Sequence, residues 1–374
     1  MVVLRNTALK NNLDEIMSDN AYIKKLVRDE VRALSAYHVP NPGDAIKLDA
    51  MENPYQFPPE LVEKWLALLK VADLNRYPDP AAQELKQAIR TAMNIPEGME
   101  LLLGNGSDEI IQIIIMALAK SGAVVMAPEP TFVMYKMIAT FCNVGYSGVP
   151  LNNDFSLDMP AMRKNMQEQQ PGVIFLAWPN NPTGNLFAEA DVIEIIENAS
   201  GLVVVDEAYT SFAEVSFMDK VADYDNLVVM RTVSKSGLAG LRLGYLAGSA
   251  AWINEFDKVR MPYNINVLTQ LSAKFALEHI EVLDEQAAKL RTARTDLMQA
   301  LNDVDGIEAF DSAANFILFR IENASDIFAC LKAKNVLIKN LDPAGGALAN
   351  CLRVTVSTPE ENTAFIETLK TCLS

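Results

Sequence analysis

Four short runs in this chain carry residue types suited to one piece of chemistry. In order they are Gly104-Asn105-Gly106-Ser107-Asp108, Asn180-Asn181-Pro182-Thr183-Gly184, Asp206-Glu207-Ala208-Tyr209 and Ser234-Lys235-Ser236-Gly237. Lys235 offers an amine that can form an imine with an aldehyde. Asp206 offers a carboxylate for a protonated ring nitrogen, and the glycine turn offers backbone amides for a phosphate. Those are the three demands that pyridoxal phosphate makes of a protein.

Taken alone, each run also has a plainer reading. Gly104 to Asp108 follows Leu101-Leu102-Leu103 and precedes an apolar stretch from Ile110 to Ala119, which spells strand, tight turn and helix N-terminus. Exposed amides and the helix dipole favour an anion there, yet a turn with a Ser or Asp N-cap looks the same. Asn180 to Gly184 follows the apolar run Val173 to Ala177. It would set the Asn181 amide at a strand end, able to donate to a ring oxygen, and it is also an ordinary Asx turn. Val203-Val204-Val205-Asp206 is sharper, because a carboxylate ending an apolar strand is costly unless it meets a cation. Tyr209, three residues on, can reach a ring oxygen.

Lys235 comes 29 residues after Asp206, one strand later and on the same sheet edge. A lysine there can serve as the imine amine and, once displaced, move a proton at the substrate's Cα. Ser234 and Arg242 suit a phosphate dianion, Arg242 through charge-assisted bonds. A lone lysine in a polar loop is usually solvated surface; it is the order of all four runs that points to a cofactor.

The elements that must position these residues follow a βαβ rhythm. Candidate strands span Gly122 to Ala127, Gly172 to Ala177, Gly201 to Asp206, Leu227 to Thr232 and Leu243 to Ala247. Their continuous Val, Ile and Leu content predicts an α/β fold on a mostly parallel sheet buried on both faces. Four of the five lead into one of the motif segments, and in such sheets ligands gather beyond the strands' carboxyl ends, so distant motifs converge on one crevice. From about Arg260 the pattern changes to a long helical stretch, Leu268 to Leu301, then a strand from Phe316 to Ile321 and a final helix from Pro359. This predicts a second, smaller α/β domain. A helix over Ser18 to Leu34 and a proline-rich extended segment, Val39 to Pro59, precede the large domain. The expected division is 1–58 joining the small domain, 59–265 large and 266–374 small.

With 374 residues, 50% hydrophobic and 21% charged, the chain can bury a large core. A net charge of −16 argues against nucleic acid or an anionic membrane surface as a partner and for a soluble cytoplasmic protein. Cys142, Cys330, Cys351 and Cys372 show no CxxC spacing, and His38 and His279 are the only imidazoles. The expectation is buried free thiols in a reducing compartment and no metal site. No signal peptide and no apolar run of spanning length is evident.

Through Asn181-Pro182-Thr183-Gly184, Asp206 to Tyr209, Ser234-Lys235 and Gly240-Leu241-Arg242-Leu243-Gly244, the chain resembles the aspartate-aminotransferase-like family of pyridoxal phosphate enzymes. Within it the likeness is nearest to the branch acting on histidinol phosphate. That narrower likeness rests on Asn75 to Pro80, Gly106 to Glu109, Pro130 to Tyr135 and Cys351-Leu352-Arg353-Val354-Thr355-Val356. It spans most of the chain from about Ala36.

The resemblance implies a PLP-dependent transferase fold and a homodimer with shared sites, Tyr77 reaching the cofactor phosphate of the other subunit. It implies that Phe132 stacks on the ring, Asn181 and Tyr209 bond the ring oxygen, Asp206 meets the ring nitrogen and Lys235 carries the imine. Ser107, Asp108, Ser234 and Arg242 match the phosphate cradle. Arg353 matches the arginine for the substrate anion, Tyr37 a tyrosine near the substrate's phosphate ester, and Asn53 and Lys339 complete the substrate set. Three departures stand out. The Lys235 to Arg242 segment is one residue shorter than the usual loop and lacks its aromatic. Met51 replaces a common asparagine before Glu52-Asn53-Pro54, and Lys339 stands where some relatives have an arginine.

The implied activity is transamination between histidinol phosphate and 2-oxoglutarate, an amino donor and a 2-oxo acid. Two readings stay open on the same scaffold: an aromatic or broad-range aminotransferase, and a phosphothreonine-type decarboxylase. A cofactor-binding transcriptional regulator is disfavoured by the acidic charge and the lack of a spare module.

Overall fold

The computed structural model describes residues 21–36 and 41–374, so Tyr37 lies outside the described residues. Residues 21–36 belong to a separate N-terminal unit. The helix expected there is interrupted: residues 21–26 are helical, Arg28 is extended (φ −54°, ψ 142°), and a short helix follows at Asp29–Arg32.

Within the unit from Pro42 to Ser374, the strands in chain order are β1 (Ile46–Lys47), β2 (Met99–Gly104), β3 (Val124–Glu129), β4 (Gly145–Pro150), β5 (Val173–Ala177), β6 (Leu202–Asp206) and β7 (Leu227–Thr232). They continue with β8 (Gly244–Ser249), β9 (Glu308–Ala309), β10 (Phe316–Arg320), β11 (Val336–Leu337), β12 (Lys339–Asn340) and β13 (Cys351–Thr355). Seven of them form the large sheet in the order β2-β8-β7-β6-β5-β3-β4. β3 to β7 run parallel to one another, while β8 is antiparallel to both β7 and β2.

The unbroken apolar runs have a direct cause. Ile174, Leu176, Val203, Val205 and Val229 pack on one face of the sheet, and Val173, Phe175, Val204, Val228 and Met230 on the other. Successive side chains alternate faces, so a strand covered by helices on both sides must be apolar at every position. Gly145-Tyr-Ser-Gly-Val-Pro forms an edge strand that the apolar pattern does not announce, since an edge carrying glycine and proline lacks that double burial.

A four-stranded antiparallel sheet, β12-β13-β10-β9, lies in the C-terminal part, and β1 pairs in parallel with β11. A separate core fills this region, built from Leu290, Leu297, Phe316, Phe319, Val354 and Phe365 among others. The single long helix expected over Leu268 to Leu301 is two helices, Val267–Leu277 and Ile280–Asn302. His279 breaks the run: its backbone leaves the helical region (φ −127°, ψ 40°), and its ring Nδ1 lies 2.9 Å from the Phe275 carbonyl oxygen. Apolar periodicity continues through the break and so conceals it.

The cysteine expectation is corrected as well. Cys330 and Cys372, 42 residues apart, form a disulfide between the packed helices Ala324–Ala333 and Pro359–Leu373, with Cα atoms 5.9 Å apart. Helix packing, which spacing in sequence does not encode, brings them together. Cys142 and Cys351 remain thiols.

Gly244 opens β8 directly across from Gly104, and a Cβ there would sit 2.8 Å from the Gly106 carbonyl carbon and 2.9 Å from the Ser107 nitrogen. Those neighbours are backbone and cannot step aside. Gly244→Ala is therefore expected to lower stability by about 1–3 kcal/mol, read as a lower urea midpoint, and to weaken phosphate binding at the turn. An unchanged midpoint would show that the turn is looser than described.

Candidate functional site

Parallel strands deliver three of the four motifs to one edge. Ala177, at the end of β5, is registered against Asp206 at the end of β6, and Asp206 against Met230 of β7. The chain turns immediately after each of these ends, which places Asn181, Tyr209 and Lys235 side by side. The fourth motif reaches the same edge, because β2 runs in the direction of β7, with the antiparallel β8 between them, and ends at Gly104 opposite Gly244. The resulting cavity, about 590 Å³ with its mouth, is lined by Ser107, Asp108, Phe132, Asn181, Asp206, Tyr209, Ser234, Lys235 and Arg242 together with Met51, Thr232 and others. Nine of the expected residues thus meet in one place.

Asp206 is 4% exposed. Its Oδ2 accepts from the Tyr135 hydroxyl at 2.6 Å and its Oδ1 from the Ala208 amide at 3.1 Å. It makes no ion pair among the described residues. Its neighbour Glu207 faces the other way and is matched by Arg231, Nη2 to Oε2 at 2.8 Å, with both side chains buried. The chain thus supplies a cation to one of two adjacent buried carboxylates and leaves the other facing the cavity. Burial pushes the Asp206 carboxyl up to about 6, with Asp108 and Glu207 adding to the rise and the Tyr135 and Ala208 hydrogen bonds opposing it.

Lys235 sits in an irregular turn, Ser234–Leu238, where Gly237 takes φ 125°. This is the path of the shortened loop. A side chain at Gly237 would meet the Asn53 amide nitrogen at 2.9 Å. The Lys235 Nζ donates to the Ala50 carbonyl at 3.1 Å and lies 6.0 Å from the Tyr209 ring centre. Burial lowers its pKa to about 8; the positive Arg353, Arg242 and Lys47 act in the same direction and Glu52 against it.

At the glycine turn, the Ser107 hydroxyl is buried with no hydrogen-bond partner among the described residues. It stands at the start of the helix Ser107–Leu118, where backbone amides have no partner within the helix. Gly106, at φ 80°, keeps the space open: a Cβ there would collide with the Arg242 Nη2 at 2.6 Å. Arg242 is exposed, in a left-handed conformation (φ 49°), with its Nη2 3.4 Å from the Asp108 Oδ2. The Asp108 carboxyl is raised by burial, against the pull of Arg242. An orphaned hydroxyl, helix amides and a guanidinium around one opening suit a phosphate group.

Arg353, 6% exposed on β13, donates to the Asn181 Oδ1 at 2.5 Å and to the Asp49 carbonyl at 2.9 Å, and its guanidinium lies 5.1 Å from the Phe316 ring centre. Asn181 therefore uses its oxygen on Arg353, leaving its NH2 as the group that can donate. Burial raises the Tyr209 pKa, with Arg353 opposing. Lys339 is exposed and directly opposite Arg353 in the β12–β13 pair, on the same face of that sheet.

Four expected residues do not line the cavity: Arg353, which meets it only through Asn181, Lys339, Asn53 and Tyr77. The Asn53 amide donates to the Ser236 carbonyl (3.0 Å) and the Gln286 Oε1 (2.9 Å), and its oxygen accepts from the Tyr55 amide, so it fastens the 51–55 segment to the lysine turn. Tyr77 is 80% exposed, stacked on Tyr263 with centroids 4.5 Å apart, and lines a separate surface groove.

Sequence reasoning missed Tyr135, whose signal lay in the Pro130 to Tyr135 run, and Thr232, whose hydroxyl bonds the Ser234 hydroxyl at 2.9 Å. It also missed Lys47 and Glu52. They form an ion pair, Lys47 also reaches Asp49 at 3.3 Å, and both act electrostatically on Lys235. Nothing in the local pattern signals them, because the chain reaches the site there by crossing from the smaller sheet.

The family model described as aminotransferase class I and II matches residues 43–369. The chain is 55% identical over 350 residues to histidinol-phosphate aminotransferase 2 of Nitrosococcus oceani, covering 93% of this chain and 97% of that protein. It is 53% identical over 354 residues to histidinol-phosphate aminotransferase 2 of Cupriavidus pinatubonensis, covering 93% and 97%. Among solved structures, it superposes on the histidinol-phosphate aminotransferase of Sinorhizobium meliloti in complex with pyridoxal-5'-phosphate with a TM-score of 0.82 at 22% identity, covering 93% of this chain and 98% of that one. That likeness speaks to fold.

The lowered Lys235 pKa sets a reactivity test. In cofactor-free protein, Lys235 is protonated and inert below about pH 8 and a free amine above it, whereas a solvated lysine titrates near 10.4. Competitive acetylation read by mass spectrometry should label Lys235 with a midpoint near pH 8. A midpoint close to 10 would refute the electrostatics described here.

Proposed function

The chain belongs to the class I and II aminotransferases, and from that premise we propose that it transfers an amino group from L-histidinol phosphate to 2-oxoglutarate, forming imidazole acetol phosphate and L-glutamate. The observation that carries the pyridoxal phosphate chemistry is Asp206, a buried carboxylate with no cation of its own among the described residues, which faces a cavity also containing a pKa-lowered lysine and a phosphate-shaped turn. The donor is supported by curated relatives at 53–55% identity over 93% of the chain, both named for that substrate. Relatives of that identity favour this donor over an aromatic amino acid and over decarboxylation of phosphothreonine.

When bound, the cofactor supplies an aldehyde for the donor's amino group and a protonated ring that draws electron density from the donor's Cα. The protein's own residues do the rest. Ser107, Ser234, Arg242 and the amides at the start of Ser107–Leu118 would hold the phosphate, and Phe132 would cover the ring. Asp206 would meet the ring nitrogen and hold its proton, and Asn181 and Tyr209 would bond the ring oxygen. The Lys235 amine, poised near neutrality, would take the proton from the donor's Cα and give it up to the carbon that carried the cofactor's aldehyde. Arg353 receives the substrate's anionic group, with Lys339 on the same sheet face as a second charge. The same anion site serves phosphate ester and carboxylate in turn, so the donor's product leaves before 2-oxoglutarate enters.

In the same reading the enzyme is a homodimer with shared sites. Tyr77, absent from its own chain's cavity, sits with Leu74, Tyr263 and Leu268 on an exposed apolar surface that supports a partner subunit there. Within the unit from Pro42, we assign residues 42–58 to the small domain, 59–265 to the large domain and 266–374 to the small one. The β1–β11 pair and the bond from the Asn315 Nδ2 to the Met51 carbonyl (3.0 Å) support assigning the 46–51 stretch this way. The acidic composition supports a cytoplasmic location, although the Cys330–Cys372 disulfide argues against a strongly reducing one. Among the described residues no helix is long and apolar enough to cross a membrane.

Glutamate formation from 2-oxoglutarate should be measured with histidinol phosphate, phenylalanine and phosphothreonine as alternative donors. The expected kcat/KM favours histidinol phosphate by about 100-fold or more, the scale at which a charged or hydrogen-bonded group is discriminated. A preference for phenylalanine would move the enzyme to the aromatic aminotransferases, and carbon dioxide release from phosphothreonine to the decarboxylases. For the dimer, Lys235→Ala and Tyr77→Phe subunits should be mixed. Shared sites predict one intact site per mixed dimer, with about half the parental activity and the parental cofactor affinity. Activity no higher than the Tyr77→Phe protein would refute sharing.

A further inference from the structure

Tyr135 is fully buried, 0% exposed, in the helix Met134–Phe141. A phenol in an apolar core needs a hydrogen-bond partner, and this one donates to the Asp206 Oδ2 at 2.6 Å. Its ring is locked from two sides. It stacks on Phe175 of β5 with centroids 4.7 Å apart and 12° between planes, and it meets Phe132 edge to face at 5.5 Å. Phe132 and Asp206 both line the cavity. Tyr135 therefore touches two of the groups that would hold the cofactor ring while standing outside the cavity lining itself.

We propose that Tyr135 is a positioning residue that acts through Asp206: its hydroxyl occupies one carboxylate oxygen, keeps the group ionised and aimed at the cofactor's ring nitrogen, and so keeps that nitrogen protonated. The Ala208 amide fixes the other oxygen at 3.1 Å, leaving the carboxylate one rotamer. A carboxylate accepting two hydrogen bonds favours its charged form against burial, and ordinary packing does not require the hydroxyl. The inference rests on the cofactor reading above.

The test uses holoenzyme reconstituted with pyridoxal phosphate labelled with 15N in the ring, with Tyr135→Phe beside the parent and Phe175→Leu as a packing control. In the parent and in Phe175→Leu, the 15N shift should be that of a protonated ring nitrogen. In Tyr135→Phe it should move toward the unprotonated value. The affinity ratio between pyridoxal phosphate and its analogue with carbon in place of the ring nitrogen should fall about tenfold or more in Tyr135→Phe and stay within about twofold in Phe175→Leu. In an Asp206→Asn background, adding Tyr135→Phe should leave that ratio unchanged.

An unaltered shift and ratio in Tyr135→Phe, or equal losses in Phe175→Leu, would overturn the proposal and leave Tyr135 as core packing. If the Tyr135→Phe protein does not fold, the parent decides alone: a ring nitrogen that loses its proton between about pH 6 and 9 overturns it, and one that stays protonated supports it. Failure of the parent to bind pyridoxal phosphate would instead refute the cofactor reading, so the two failures are distinct.

Discussion

A buried charge to which the described residues offer no counter-ion organises this molecule. Asp206 ends a strand whose every side chain is inside, and an ionised carboxylate in that setting is stable only when hydrogen-bonded and paired. The protein provides the hydrogen bonds, from Tyr135 and the Ala208 amide, and leaves the pairing to whatever enters the cavity. The adjacent Glu207 shows that the fold can neutralise a buried carboxylate when it is purely structural, since Arg231 meets it directly. The contrast between two consecutive acids, one satisfied and one waiting, separates architecture from function within a single dipeptide.

The surroundings follow from holding that carboxylate opposite an amine. Lys235 is drawn inward until its ammonium loses hydration and its pKa falls to about 8. The turn that carries it requires φ 125° at Gly237, and Asn53 closes over that turn. Asn53 joins Ser236 to Gln286 of the helix Ile280–Asn302, Lys235 reaches the Ala50 carbonyl, and Arg353 reaches both Asn181 and the Asp49 carbonyl. The 49–53 stretch is thus stitched to the lysine turn, the Asn181 loop and the smaller sheet at once. An anion drawn to Arg353 would therefore act on the group that orients Asn181.

Much of this was legible in the chain. The parallel strands declared themselves because double-sided burial leaves an unbroken apolar run, and Asp206 declared itself by breaking one. Lys235, Arg242, Ser107 and Asn181 were legible by their order after successive strands, since parallel topology sends each strand's carboxyl end to the same edge. Less was legible where packing decides. The edge strand Gly145–Pro150 lacks the burial that would mark it. The break at His279 depends on one side chain meeting one carbonyl. The Cys330–Cys372 bridge depends on two helices lying side by side. Asn53, grouped with the substrate residues by motif, turned out to have its side chain committed to protein partners.

What the sequence determined by itself was the chemistry and its scaffold: which residue types were available, in what order, and on which strands. Strand period and burial are local properties of the chain, so they can be read along it. What only the tertiary structure decided was who touches whom across long separations: Tyr135 on Asp206, Arg353 on Asn181, and Lys47 and Glu52 beside Lys235. Together with burial, the larger cause at both, neighbours brought in this way tune the protonation of the two central groups. Electrostatic coupling depends on distance in space and on the local dielectric, and neither is a function of position along the chain.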